Sequence, residues 1–316
     1  MPKLSVILPI YNVEEYIEEC FQSLVKQIDK DVEVICIDDG STDNSGIICD
    51  RYAEKYTNFH VEHSINKGVG AARNLGLNMS QGDYIAWCDP DDYVADNWYI
   101  GIKRILNKKP DIGVFNYKVI DKNKEKIINY IPKEGFLEKK QFLLDVVEDV
   151  KIQSQLWQKV FKRDLLETVR FPENVKCMED YAVLHNLILK AEKIYYLPDA
   201  LYNYRKRDDG LVMAIDIGKS YACYKIAIKR YQDLKKAYYD VSSIGFLMQA
   251  MGVCIQFAKS DESSRRFFLD ENKECMNVIR KNLLYIIKSS VSAREKVKFC
   301  IIALRLHCIV MKIYKK

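Results

Sequence analysis

Three carboxylates, Asp89, Asp91 and Asp92, fall within four residues directly after the apolar run 84–88, which reads as a buried strand. Carboxylates this close repel one another and raise each other's pKa, so keeping them ionised at neutral pH calls for a metal ion or a dense set of donors. The same Asp-Pro-Asp-Asp string is also ordinary turn chemistry, with Asp89 capping a following helix. The string by itself suits both readings, and the rest of the chain separates them.

The elements that would position these residues alternate. Residues 4–8 are a short apolar run ending at Pro9; after Asn12, the positions Tyr16, Ile17, Cys20, Phe21, Leu24 and Val25 recur at helical spacing, giving strand, cap and helix. The pattern repeats with a strand over 32–37 that ends in Asp38-Asp39-Gly40-Ser41 and a helix lined by Ile47, Ile48, Tyr52 and Tyr56. A third round uses 59–63, the loop 66–70 and a helix over 71–79, and a fourth begins with 84–88. This order predicts an α/β fold with a mostly parallel sheet flanked by helices. Ligands of open parallel sheets bind beyond the carboxyl ends of the strands. Those positions hold Tyr11-Asn12, Asp38-Asp39, the loop 66–70 and Asp89 to its partners at 91 and 92. An aromatic face, acceptors, glycine backbone open to phosphate and a candidate cation site are together what a nucleotide diphosphate requires.

Gly68-x-Gly70-x-x-Arg73 follows a strand and opens a helix, with Asp89 some way beyond, which mimics a dinucleotide fingerprint. Arg73 argues against it, because the third position must be small for the helix to pack closely on the sheet. The string Gly218-Lys219-Ser220 lacks the glycine that a P-loop has five residues earlier, where Met213 stands, which excludes a P-loop. His60, His63, His185 and His307 show no ligand spacing, and His60 and His63 look isolated from acids and cysteines.

Pro9-Ile-Tyr11-Asn12, Asp38-Asp39-Gly40-Ser41-Thr42-Asp43, Asn66-x-Gly68 with Ala72-Arg73-Asn74-x-Gly76, Asp89-x-Asp91-Asp92, and Trp157-x-Lys159 with Glu179-Asp180 resemble glycosyltransferase family 2 in order and spacing, over residues 1 to about 207. The resemblance implies a GT-A fold, a Rossmann-related mixed sheet, and a nucleotide-sugar donor, usually a UDP-sugar. It also implies a divalent Mg or Mn ion and transfer with inversion. Carried over by position, Tyr11 packs on the uracil within a pocket shaped by Pro9, beside Asn12, and Asp39 accepts from the ring NH. Asn66, Gly68 and Arg73 lie near base and phosphates. Asp89 faces ribose or metal, Asp91 binds the metal, and Asp92 is the structural member, bonding amides at the next helix start. Inversion needs a base opposite the leaving group, and Asp180 is that candidate; sequence alone favours an acidic first helical turn, and the resemblance reverses that preference. Trp157 and Lys159 resemble a wall of the sugar site, with plain core as the equal alternative for Trp157, and Glu179 is a candidate substrate contact, while Tyr204, Arg205 and Arg207 resemble the family's closing segment and bring cations toward the diphosphate. The family often has a serine shortly after, where this chain has Asp208-Asp209-Gly210-Leu211.

The 316 residues suffice for one large domain or two smaller ones. Their charge divides at the same place as the resemblance: residues 1–210 carry net −6 and residues 211–316 net +11. The expected domains are therefore a nucleotide-sugar-binding domain over 1–210 and a helical basic region over 211–316. Ten cysteines lie scattered in apolar runs without a Cys-x-x-Cys pair, as in a reduced cytoplasmic protein. The first strand has no cleavage site of a signal peptide, and no apolar run approaches the roughly 20 residues that cross a bilayer. Helices are expected near 221–239, 244–257, 267–285 and 291–314. In the last, Arg294, Lys298, Arg305, Lys312 and Lys316 fall on one helical stripe, which suggests contact with an anionic membrane through 291–316; a solvated bundle helix or a homo-oligomer contact is the alternative. Nucleic acid is not an expected partner, because the front is acidic and no RNA motif is present. With these features, the resemblance implies an inverting, metal-dependent transfer of a hexose or N-acetylhexosamine from a UDP-sugar to a saccharide or lipid-linked saccharide acceptor, and a setting at the cytoplasmic face of a bacterial membrane. The rival reading is a catalytically idle nucleotide-sugar-binding or scaffold subunit.

Overall fold

A computed structural model of the chain describes residues 3–122, 124–131, 133–148, 152–173, 178–207, 216–237 and 239–308. These divide into two compact units, residues 1–210 and 211–316.

The first unit opens with β1 (Leu4–Ile10), α1 (Ile17–Val25), β2 (Val32–Asp38), α2 (Ser45–Lys55), β3 (Phe59–His63), α3 (Val69–Met79) and β4 (Tyr84–Trp87). Strands β1 and β2 are buried on both faces, as their unbroken apolar runs require. Pro9 continues β1 rather than ending it. Ile7 accepts from Cys88 N at 3.1 Å, and Pro9, facing the same way two residues later, lies past the end of β4, so its missing N–H costs no ladder bond. The acidic motif leads into a two-residue strand, β5 (Tyr93–Val94), and only then into α4 (Trp98–Leu106). The expected helix start at Asp92 is therefore replaced by a strand.

The chain then adds β6 (Ile112–Asp121), β7 (Lys124–Ile128), β8 (Gly135–Leu137), α5 (Lys139–Glu148), β9 (Lys159–Lys162), α6 (Arg163–Leu166), α7 (Glu179–Lys190) and β10 (Ile194–Arg205). The sheet runs β3-β2-β1-β4-β9-β6-β10-β5, with β7 beside β6 and β8 beside β10. Pairing is parallel among β3, β2, β1 and β4, and β9 enters antiparallel between β4 and β6. Close helix packing on this sheet comes from Gly76, whose Cβ would lie 2.4 Å from Ile7 Cγ2.

The second unit holds α8 (Ile217–Lys236), α9 (Ile244–Lys259), α10 (Glu262–Phe267), α11 (Leu269–Lys281), α12 (Leu283–Lys288) and α13 (Ala293–Ala303). Helix α9 packs on α8, α11 and α13. The expected helix over 267–285 is broken at Asn282, and that over 291–314 ends at Ala303, with Arg305 at φ 62°. The basic stripe is thus not one helical face among the described residues, and Lys312 and Lys316 lie outside them. Phe299 and Ile302 are buried in the unit, as is His307, whose imidazole is held below its ordinary pKa by burial. Among the described residues no helix is long and apolar enough to cross a membrane.

Candidate active site

The carboxyl ends of β1, β2 and β4 lie side by side, since Ile10 pairs with Asp38 and Ile7 with Trp87. Tyr11, half-exposed, follows β1, with half-buried Pro9 behind it. Asn12 adopts φ 51° and accepts from Thr42 N at 2.8 Å, while its own N–H donates to Ser41 Oγ at 3.1 Å. These bonds tie the first loop to the second.

Asp39 is buried, and its two carboxylate oxygens accept from Lys67 N at 2.9 Å and Gly68 N at 2.7 Å. It therefore shapes the glycine loop, in which Asn66 is exposed and Gly68 takes φ 89°. The remaining lone pairs of Asp39 are not used by these two bonds. Asp38 meets His63 Nδ1 at 2.8 Å, and His63 Nε2 meets Asp50 at 3.0 Å. The apparent isolation of His63 along the sequence is thus overturned: α2 and β2 bring an acid to each ring nitrogen, and both acids raise its pKa.

Around Arg73 the second half of the site assembles. Its guanidinium, on α3 and buried, pairs with Glu179, lies 3.6 Å from Asp89 Oδ1 and sits 5.7 Å over the Phe171 ring. Arg73 is therefore an interior counter-ion, and Glu179, buried at the start of α7, is its partner. Asp180, half-buried, is on the same turn, with Tyr181 N donating to it at 2.6 Å. Burial and the Glu179 charge push the Asp180 carboxyl up to about 6, against the pull of Arg73. Burial also pushes Asp89 up to about 7; Arg73 opposes this, and Asp91, Glu179 and Asp180 add to it. Asp89 and Asp180 thus feel one another across the site.

The acidic motif is fixed by β10. Tyr202, absent from the sequence-level candidates, is fully buried; its oxygen accepts from Asp89 N at 3.0 Å and its hydroxyl donates to Asp92 at 2.9 Å. Asp92 also accepts from Arg205 N at 2.7 Å, so it is structural through β10 and not through a helix start. Arg207 pairs with Asp91 at 3.0 Å, and Arg205 donates to Asp91 O at 3.0 Å and to Glu19 at 2.5 Å. The departure from the family's serine, at 208–211, lies outside the described residues.

Trp157 is buried, stacked on Tyr202 at 4.5 Å and on Tyr204 at 5.7 Å. Lys159 is wholly buried, donating to Gln153 O at 2.9 Å and Gln155 O at 2.6 Å. Lys159 was expected on the wall of the sugar site and Trp157 either there or in the core; both are buried, and Tyr204, 37% exposed, is the member of the stack that reaches the surface. Among the described residues no three His, Cys, Asp or Glu side chains are placed to hold a metal by themselves.

A sheet of this order, with carboxylates gathered at its carboxyl edge, is a GT-A fold, and solved structures agree. S. aureus TarS 1–349 in complex with UDP-GlcNAc superposes with a TM-score of 0.64 at 23% identity, covering 89% of this chain and 80% of that one. Its complex with UDP gives 0.65 at 21% identity, covering 96% and 88%. The pattern of glycosyl transferase family 2 matches residues 5–166, and glycosyltransferase GlyG of Streptococcus pneumoniae is 32% identical over 76% of this chain and 83% of its own length. The chain belongs to glycosyltransferase family 2. A poly(ribitol-phosphate) beta-glucosyltransferase of Bacillus spizizenii is 36% identical over 67% of this chain, a match that spans only 34% of that longer protein; for glycosyltransferase GlyA of Streptococcus pneumoniae the span is 31%.

Proposed function

We propose that this glycosyltransferase moves a hexose or N-acetylhexosamine from a UDP-sugar to a hydroxyl of a bacterial surface glycan, a teichoic acid or a lipid-linked oligosaccharide, with inversion. The observation that carries the reading is the gathering of Asp89, Glu179 and Asp180 around Arg73 at the carboxyl edge of the parallel strands. TarS crystallised with UDP and with UDP-GlcNAc supports the donor class, and the poly(ribitol-phosphate) glucosyltransferase supports the acceptor class.

In this reading Asp180 takes the proton of the acceptor hydroxyl as its oxygen bonds to the anomeric carbon and the bond to UDP breaks with its electron pair. The carboxyl near 6 is ionised at neutral pH yet basic enough to accept that proton. Arg73 holds Glu179 and Asp89 in place, and Tyr11 and Asp39 receive the base. Hard oxygen donors suit Mg or Mn, which takes few carboxylates and completes its shell with phosphate and water. Asp89 and Asp91 provide such a pair, side by side in the acidic motif after β4. When bound, the metal stabilises the leaving diphosphate as a Lewis acid.

A panel of UDP-sugars with Mg and Mn, read as thermal stabilisation and UDP release, tests the reading. One donor should raise Tm in a metal-dependent way and release UDP with acceptor. Absence of stabilisation by any UDP-sugar with either ion contradicts it.

A further inference from the structure

Beside the aromatic stack, and apart from the carboxylate cluster, the first unit contains a cavity of about 200 Å³ between β6, the end of β7 and the loop before β9. Its size fits one small ligand: it is smaller than the roughly 300–1,000 Å³ of pockets for drug-sized molecules, and holds about six waters at ~30 Å³ each. None of the described residues lining it is charged, so it offers nothing to a phosphate or carboxylate. The lining instead combines aromatic rings, Phe115, Tyr117 and Tyr130, with carboxamides. Flat apolar rings beside amide donors and acceptors match the two sides of a neutral polyhydroxyl compound, its C–H face and its hydroxyls.

Gln158 gives the cavity an open polar function. Its side chain is 3% exposed, yet its amide makes a single bond, from Nε2 to Gln153 O at 3.5 Å, and no described group donates to its Oε1. A carboxamide oxygen so placed is free to accept a hydrogen bond from a molecule in the cavity. The opposite side is already satisfied: Asn116 accepts from Tyr130 N at 3.0 Å and from the Tyr196 hydroxyl at 2.7 Å. The wall carrying Gln158 is anchored. Phe115 N donates to Gln158 O at 3.2 Å, and Lys159 grips the carbonyls of Gln153 and Gln155.

Packed rings link the wall of the cavity to the reaction centre. Tyr117 meets Trp157 edge-on at 4.7 Å, Trp157 stacks on Tyr202, and Tyr202 holds the amide of Asp89. The same Lys159 that fixes the loop acts electrostatically on Asp180. Taking the chain as the UDP-sugar transferase described above, we infer that this cavity is a subsite for one neutral sugar or polyol unit of the acceptor, with Gln158 as its hydrogen-bonding residue.

Methyl-labelled isoleucine spectra of the full chain, saturated with UDP, test this directly, because Ile128 and Ile152 line the cavity. The probes are the methyl glycosides of glucose, galactose and N-acetylglucosamine, and ribitol. At least one should shift both methyl signals saturably. Gln158→Leu should weaken that binding about tenfold, the loss of one hydrogen-bonded group. Ile128→Phe, filling the cavity from the other wall, should abolish it. UDP affinity and acceptor-independent donor hydrolysis should stay unchanged in both variants. Silence of both methyls toward every probe, with UDP bound, overturns the subsite alone, as do shifts that survive both substitutions. Failure of UDP to bind the wild-type chain removes the donor reading and the subsite with it.

Discussion

Asp180 and Asp89 are half-buried carboxylates whose protonation should govern both rate and stability. A base works only when ionised, so with Asp180 near 6, turnover should climb as pH rises through about 6 and then level. A pH–rate profile that is flat between about 5 and 7 contradicts the assignment. Asp89, near 7 in the folded chain against about 3.9 unfolded, binds its proton more tightly when folded. Its contribution is therefore fully present below about pH 4 and is lost as pH rises through about 7, with no ligand bound. Asp89→Asn should accordingly raise Tm over wild type by more at about pH 8 than at about pH 4. Equal effects at both pH values would show that Asp89 is not perturbed.

The elements are held to one another by the same charges. Arg73 joins α3 to α7 through Glu179 and to the end of β4 through Asp89, so Arg73→Met, which leaves buried carboxylates without their cation, should cost about 3–5 kcal/mol in urea unfolding. A cost under about 1 kcal/mol would mean the pair is dispensable. Much of this half was legible in the residues. Runs such as Val32 to Asp38 are apolar because both faces are covered, and the loops after β1, β2 and β4 carry the polar residues that gather at one edge. The rest depended on pairing between distant segments. Tyr202 looks like any strand aromatic until β10 meets β5 and brings its hydroxyl to Asp89 and Asp92. Lys159 and Trp157 resembled substrate contacts because composition cannot tell a side chain facing a loop from one facing a crevice. His63 acquired its two acids only through the α2 and β2 approach.

At the scale of the molecule, an acidic sheet unit is followed by a basic helical one. The second unit uses its last described helix as structure: Phe299 and Ile302 are buried, and Arg280 donates to Ala303 O at 2.6 Å, capping α13. Phe299→Ala should destabilise by about 3–5 kcal/mol through the cavity it leaves; unchanged Tm would mean that α13 is not a packed element. The central claim concerns the whole assembly of site and donor, and one comparison tests it most directly: UDP release and UDP affinity measured side by side for wild type and Asp180→Asn. The account predicts turnover lower by roughly 10²- to 10⁴-fold with UDP affinity retained. Near-normal turnover in that variant would contradict it.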